Sequence, residues 1–468
     1  TTLYCKPKPP ERRAAWHAKI QAILGLTDGT DPFTANEAPG IMVLGNAGHT
    51  FTEGDSLIDG VTILGALAGG GIYVNNDAQF LEISNTRIKG NQGIRGGGVT
   101  IGSPDIAGPA NNNDIYLHHN MIVQNGGVQG PGGVAIYTGA DRYRVEDSII
   151  AGNFSRFSGG GLGHIGLSDG GVIARNRITF NEAFYGTLLA GAGYGGGLYL
   201  TGEVLPGALS QGTGSILVDS NLIQGNLAGA ASGGGIRAVA INGQDVEASA
   251  DPNDWYSLHL INNMIINNVA GHAGGGISIL DCAKAVIVHN TIARNDSTAT
   301  AALAFEPGSL VSTPQGAGLV VEPHTILLAA VSGQQFCNPI LADNILWQNR
   351  SFYNDGTLNG GRGGLLPNPA REFWDIQVSY MPGASLDPRS CILTDTAGYH
   401  ASNISADPQF ALDYVNDLVT AAVLDEGGNY ITVRYTPLQV GAGNYHLAFG
   451  SPAIGAADPA YLAQHPGL

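Results

Sequence analysis

The sequence predicts an all-β chain wound as a right-handed parallel β-helix, and three observations predict it. Eight times, a polar residue and an asparagine five positions later bracket an aliphatic side chain. The pairs are Thr86/Asn91, Asn120/Asn125, Ser148/Asn153, Asn176/Asn181, Asn221/Asn226, Asn263/Asn268, Asn290/Asn295 and Asn344/Asn349. The bracketed residues are Ile88, Ile122, Ile150, Ile178, Ile223, Ile265, Ile292 and Leu346. Glycine clusters leading into alternating apolar runs recur between the pairs, as in Gly69-Gly70-Gly71-Ile72, Gly159-Gly160-Gly161-Leu162 and Gly195-Gly196-Gly197-Leu198. A further short run precedes each pair, for example Ile115-Tyr116-Leu117, Tyr143-Arg144-Val145 and Leu258-His259-Leu260. Strands repeated once per coil without helices between them stack in parallel, and parallel crossovers are right-handed.

Successive second asparagines stand 34, 28, 28, 45, 42, 27 and 54 residues apart, so the short spacings are bare coils and the long ones carry insertions. With coils ~4.8 Å apart, each asparagine meets its counterpart above and below, and the amides bond into an internal ladder. Glycine at the bends supplies positive φ and lets the next coil pass closely. The sequons at Asn153, Asn295 and Asn349 fall on ladder positions, where a glycan would break the stack, so they are expected to be structural.

Taken from the N-terminus, residues 9–25 read as a capping helix with Trp16, Ile20, Ile23 and Leu24 on one face, because an open coil end exposes unpaired strand edges. Residues 1–54 form this cap and the opening segment, with Ile41–Leu44 in the first, irregular coil that Leu57–Ile63 continues. Residues 55–350 form the coils, and 351–468 form irregular C-terminal coils and a tail. Insertions fall near 182–194, 201–214, 240–256, 296–315 and 350–375, and loops of that size are where function concentrates.

Composition narrows the function. The 468 residues include 70 glycines but 23 prolines and no Gly-X-Y period, which excludes collagen. The formal charge of −17, from 21 Lys+Arg against 38 Asp+Glu, argues against nucleic-acid partners. No stretch of eighteen apolar residues exists, so no membrane insertion is expected. The chain opens Thr1-Thr2-Leu3 without Met, which fits a removed signal peptide or a fragment of a longer protein. Cys5, Cys282, Cys337 and Cys391 contain no C-x-x-C; of the three possible pairings, Cys337 with Cys391 is favoured because both lie outside the regular repeats.

The Gly-Gly-Gly-Ile and Asn-x-Ile-x-x-Asn coils resemble the pectin-lyase-like group of right-handed β-helix proteins over residues 55–350. Asn403-Ile404-Ser405-Ala406-Asp407-Pro408-Gln409-Phe410, Tyr445-His446-Leu447 and Gly450-Ser451-Pro452-Ala453-Ile454 resemble the closing segment of exported bacterial β-helix proteins, with Gly455 where those tails carry Asp. The opening, from Cys5-Lys6-Pro7 through Ile41-Met42-Val43-Leu44-Gly45, resembles the β-helix section of very large secreted bacterial proteins that carry multicopper-oxidase-like domains. These resemblances imply a secreted or cell-surface bacterial protein.

The best chemical constellation lies just before the first ladder. Glu146, Asp147 and Arg175 are the candidate catalytic residues, and Tyr116, His118, His119, Arg144 and Asp219 the candidate substrate-binding ones, all expected outward on neighbouring coils. Paired carboxylates beside Arg or His are what a polysaccharide lyase or glycoside hydrolase needs for acid–base work. The competing reading is a solvated face whose charges pair across strands. Arg87-Ile88-Lys89 imitates a motif of pectin hydrolases, but Ile88 is a core position, and Gly163-His164-Ile165 and Gly271-His272-Ala273 only approximate the companion motif. His118-His119 chelates one ion only if it lies in a turn. No metal or cofactor is expected; Asp251-Pro252-Asn253-Asp254 could hold calcium through oxygen ligands, but the run reads first as a simple loop former. Outward Tyr73, Tyr137 and Tyr199 are a candidate stripe for sugar stacking or protein docking. The sequence thus favours a non-catalytic β-helix scaffold or binding module in a larger extracellular assembly, with polysaccharide or other protein subunits as partners. The alternative is a polysaccharide lyase or glycoside hydrolase acting on the outer face.

Overall fold

The computed structural model describes residues 2–4, 38–45, 51–54, 56–75, 77–104, 111–184, 193–361, 363–425, 428–435 and 443–459. One coil suffices to explain it. Tyr116–His118 belongs to sheet I, Met121–Val123 to sheet II, Gly126–Gly127 to sheet III and Val134–Tyr137 to sheet IV. The next coil repeats the order, and each strand lies parallel on its predecessor, with Leu117 opposite Val145, Ile122 opposite Ile150 and Val134 opposite Leu162. Among the described residues, sheets I to IV contain 9, 11, 9 and 10 strands, each in chain order with one member per coil. That ordering is a parallel β-helix. Sheet III ends in an antiparallel addition, Gly364–Pro367, which pairs with Arg350–Asp355.

The ladders form as the spacing requires. Asn91, Asn125, Asn153, Asn181, Asn226, Asn268 and Asn295 each donate from Nδ2 to the side-chain oxygen of the next asparagine, at 2.9–3.0 Å, ending at Asn349. Asn349 in turn donates to the buried carboxylate of Asp375 at 2.8 Å, which terminates the stack. Asn153, Asn295 and Asn349 are all buried, so the three sequons are ladder members.

The bend between sheets I and II is built from a single left-handed residue before each first-ladder position. Asn85, His119, Asp147, Arg175, Ser220, Asn262, His289 and Asp343 all have φ between 48° and 57°. Such a conformation costs a non-glycine residue roughly 1–2 kcal/mol, and the ladder hydrogen bonds that follow offset it.

Inside, Ile63, Ile88, Ile122, Ile150, Ile178, Ile223, Ile265, Ile292 and Leu346 form one fully buried column. The third glycine of each triplet faces it. A Cβ on Gly161 would stand 2.9 Å from Asn181 Nδ2 and 3.0 Å from Ile178 Cγ2, so the aliphatic–asparagine pair and the glycine occupy one space. The first glycine has a different reason: Gly159, for example, has φ +76°.

The capping helix expected at 9–25 lies outside the described residues. Strands Ile41–Leu44 and Leu57–Asp59 open sheets IV and I near the N-terminal end, and Thr2–Tyr4, paired in parallel with Thr62–Leu64, opens sheet II. At the other end, Ile376–Val378 and Ile392–Leu393 close sheets IV and II. The chain then turns back along the outside: Phe410, Tyr445 and Leu447 pack over Ile266, Ala293, Ile345 and Trp347 on the outer face of sheet II. Helices α1 at Gln244–Ala248 and α2 at Ile326–Ser332 sit in insertions; Val246 and Leu328 meet with Trp255 and Ala283 in a satellite cluster.

Candidate functional site

The face around Glu146 is assembled, but it is closed by its own charges. Arg144 donates from Nε and Nη2 to the Glu146 carboxylate at 2.9 and 3.0 Å, Arg175 Nη2 donates at 2.7 Å and the Tyr116 hydroxyl at 3.1 Å. These groups leave Glu146 only 2% exposed, although its strand position points outward. Arg175 also holds both oxygens of Asp147, each at 2.9 Å, which together with His119 and His118 nearby keeps the Asp147 carboxyl below the usual carboxylate range. Partial burial, then the neighbouring Glu146, pushes the Tyr116 phenol up. Tyr116 is stacked between the Arg144 guanidinium, 4.7 Å from its centroid, and the His118 ring at 4.2 Å.

His118 and His119 do converge, because His119 is one of the left-handed bend residues. Their Nδ1 atoms lie 2.8 Å apart, and His118 Nε2 is 2.9 Å from Glu82. Asp219 stands apart: its carboxylate accepts from Ser220 at 2.9 Å, and Arg175 turns to Asp147 and Glu146 instead. The eight residues singled out in the sequence are therefore neighbours, with Asp219 at the margin. Seven of them form a connected network of paired charges and stacked rings, with no carboxylate left free for a substrate.

The tyrosine stripe is corrected by the structure. Tyr73 and Tyr137 are 1% and 4% exposed and Tyr199 is half-buried. They stand on the outer face of sheet IV, but the glycine-turn segments fold back over that face; the Tyr137 hydroxyl donates to the Arg95 carbonyl at 2.7 Å.

Beneath this cover lies a second cluster that the sequence reading did not assemble. Register places Tyr199, Arg237, Ser278 and Val320 in one outward column. Arg237 is 4% exposed and pairs with Glu322 and Ser278, under the ring of Tyr194 at 5.2 Å. Beside it, His272 is buried between the Ser232 hydroxyl on Nδ1, at 3.0 Å, and the Tyr380 hydroxyl on Nε2, at 3.2 Å. Burial lowers the pKa of His272, with Glu322 opposing, while burial and Glu322 raise that of Tyr380. Tyr380 is exposed and also lines a cavity of about 500 Å³ at the C-terminal end of sheet IV, with Arg371, Trp374, Gln377, Met381 and Tyr399. A neutral His bonded to a Tyr hydroxyl at a cavity wall can pass a proton; a Trp, two Tyr and an Arg can stack on and bind an oxygen-rich ligand. The available signal was Arg237 itself, a charge in a column otherwise filled by the uncharged Met, Tyr, Thr, Ala, Gly, Ser, Val and Gln.

The Asp251–Asp254 run behaves as a turn: Asp251 accepts from the Asn253 amide at 2.9 Å and Asp254 from the Ser249 hydroxyl at 2.7 Å. Among the described residues, no group of three or more His, Cys, Asp or Glu side chains is placed to hold a metal ion. No described helix is long and apolar enough to cross a membrane. The cysteine expectation also changes: Cys337 lies against Cys282, whereas the Cys391 thiol accepts from the Asn344 amide at 3.4 Å and donates to the Arg389 carbonyl at 3.2 Å.

No protein-family model and no curated protein matches the chain. Among solved structures it is similar to the A-module of mannuronan C-5 epimerase AlgE4 from Azotobacter vinelandii, at 15% sequence identity, covering 70% of this chain and 83% of that one with a TM-score of 0.28. So loose a superposition carries no functional argument. The fold rests on the sheet topology described above.

Proposed function

We propose that this chain is a non-catalytic β-helix scaffold or binding module. The observation that supports it is the saturation of the Glu146 face. A general acid or base needs a carboxyl oxygen within reach of the substrate proton, and Glu146 already accepts from Arg144, Arg175 and Tyr116. Arg144 pairs with Glu146 along one strand, while Arg175 reaches from the next coil to Glu146 and Asp147 and so helps to hold the coils together, as cross-strand pairs do. Export by a bacterium, and membership of a cell-surface or multicopper-oxidase-linked assembly, rest on the sequence resemblance of the two ends. Partners are polysaccharide or other protein subunits.

A second reading is kept because one observation favours it. The Tyr380–His272–Ser232 relay opens on a cavity with aromatic walls. This is where a polysaccharide-processing site would sit if the chain has one.

A screen of the purified chain on acidic and neutral polysaccharides, with and without calcium, separates the readings. The scaffold reading expects no turnover on any substrate. Turnover abolished by Glu146→Gln and Asp147→Asn would overturn it in favour of the outer face. Turnover that survives those changes but is lost in Tyr380→Phe and His272→Gln would place the chemistry at the cavity.

A further inference from the structure

We propose that Cys282 and Cys337 form an intramolecular disulfide when the chain folds under oxidising conditions. Both residues are buried, at 0% and 1% exposure, in the main core cluster. Both are free thiols in the structure; that of Cys282 donates to the Lys284 carbonyl at 3.4 Å and has Cys337 within hydrogen-bonding reach. The backbone that brings them together is fixed on both sides. Cys282 follows strand Ile277–Leu280, and the Asp281 carboxylate accepts the Thr325 amide at 2.6 Å at the start of α2. On the return, Pro323 bridges Phe336 and the His324 amide donates to the Gln335 carbonyl at 2.8 Å. Cys337 is thus delivered to Cys282 by a short loop whose two ends are pinned. Cys391 is occupied elsewhere, by Asn344 and Arg389.

The bond closes residues 283–336 into a loop. That loop carries α2, whose Leu328 packs on Val246, Trp255 and Ala283, so the link fastens an insertion to the coil it covers. The hydrogen bond with Cys337 and the burial hold the Cys282 thiol well above the usual thiol range. A thiol so held is a poor nucleophile, which assigns bond formation to folding and not to the finished fold. The oxidant is a small-molecule disulfide such as oxidised glutathione. One protein thiolate attacks it and releases one glutathione thiolate; the second protein thiolate displaces the other glutathione from the mixed disulfide. The protein pair loses two electrons and two protons, and the glutathione disulfide gains them.

The test is to reduce and denature the full chain, refold it in a mixture of reduced and oxidised glutathione, and map its peptides without reduction. The expected result is one cross-linked peptide pair containing Cys282 and Cys337, lighter than the sum of the free peptides by two hydrogens. The melting midpoint should fall when reductant is added to the wild type and stay unchanged for Cys282→Ser. Linkage of Cys337 to Cys391 or Cys5, or recovery of all thiols free after refolding, would overturn the proposal. The mapping uses the wild-type chain, so it decides the matter even if the serine variant fails to fold.

Discussion

His164 occupies an interior position that the repeat fills elsewhere with an aliphatic; its register neighbours are Ile136 and Leu200. A buried imidazole is tolerated there because both nitrogens are satisfied. Nε2 lies 2.9 Å from the Gly166 carbonyl and 3.1 Å from the Thr213 carbonyl, so it is the N–H donor, and Nδ1 accepts from the Tyr143 hydroxyl at 2.9 Å. Gly171 makes room for the arrangement, since a Cβ there would stand 2.4 Å from the Tyr143 ring. Burial pulls the His164 ring from its ordinary 6.5 down to about 4, the two carbonyls opposing. A folded-state value below the unfolded one contributes stability that is present above pH 6.5 and lost as the pH falls towards 4. From pH 7 to pH 5 the loss attributable to this residue is about 2 kcal/mol by proton linkage. Urea unfolding at the two pH values checks it. The wild type should lose about that much more than His164→Gln, whose own stability is lower at both; equal losses would remove His164 as the cause.

The same accounting applies at the scale of a ladder. Asn181 accepts from the amide and the side chain of Asn153, and donates to the Ile150 carbonyl and to Asn226. Asn181→Ala strands several buried polar groups at once, each at roughly 1–3 kcal/mol. The first ladder has a gap to exploit, because Ser148 stands between Asn120 and Asn176 and its hydroxyl bonds back to the Glu146 carbonyl. Ser148→Asn should continue the amide stack and stabilise by about 1 kcal/mol, while Asn181→Ala destabilises by about 3 kcal/mol or more. Denaturant midpoints of the two variants against wild type check both signs, and a destabilised Ser148→Asn would mean that coil spacing is set elsewhere.

The ladders were legible in the sequence because their period is local: in each coil an asparagine, an aliphatic and a glycine pack directly against one another, as Asn181, Ile178 and Gly161 do. The two-residue strands such as Gly126–Gly127 were not, since two residues carry no alternation. Glu146 was legible as an outward carboxylate, but its burial depends on where Arg144 and Arg175 lay their long side chains. The pairing of Arg237 with Glu322, 85 residues away, and of His272 with Tyr380, 108 away, depends on register summed across insertions of unequal length.

For the whole molecule, stability in a stacked-coil protein is mostly a sum of nearest-neighbour contacts, and opening spreads from the ends. The C-terminal segment changes that by bonding coils far from it in sequence. Asn416 donates to the Asn267 carbonyl and to Asp296, and Asp413 pairs with Arg294. Tyr445 is buried at 2% exposure, packs its ring tilted against that of Phe410 at 4.9 Å, and donates its hydroxyl to the Tyr414 carbonyl at 2.7 Å. With Phe410 and Leu447 it covers Ile266, Ala293 and Trp347, so this segment ties three coils together from outside. Tyr445→Ala should weaken the docking by roughly 3–5 kcal/mol, the cost of truncating a buried aromatic. Hydrogen exchange reads the result strand by strand. Amides in Met264–Ile266, Thr291–Ala293 and Ile345–Trp347 should exchange faster, with a red shift of Trp347 fluorescence, while Met121–Val123, on the same sheet beyond the segment's reach, keeps its protection. Uniform acceleration along sheet II would instead mean that the coils open as a single unit and that the segment stabilises the molecule without dividing it.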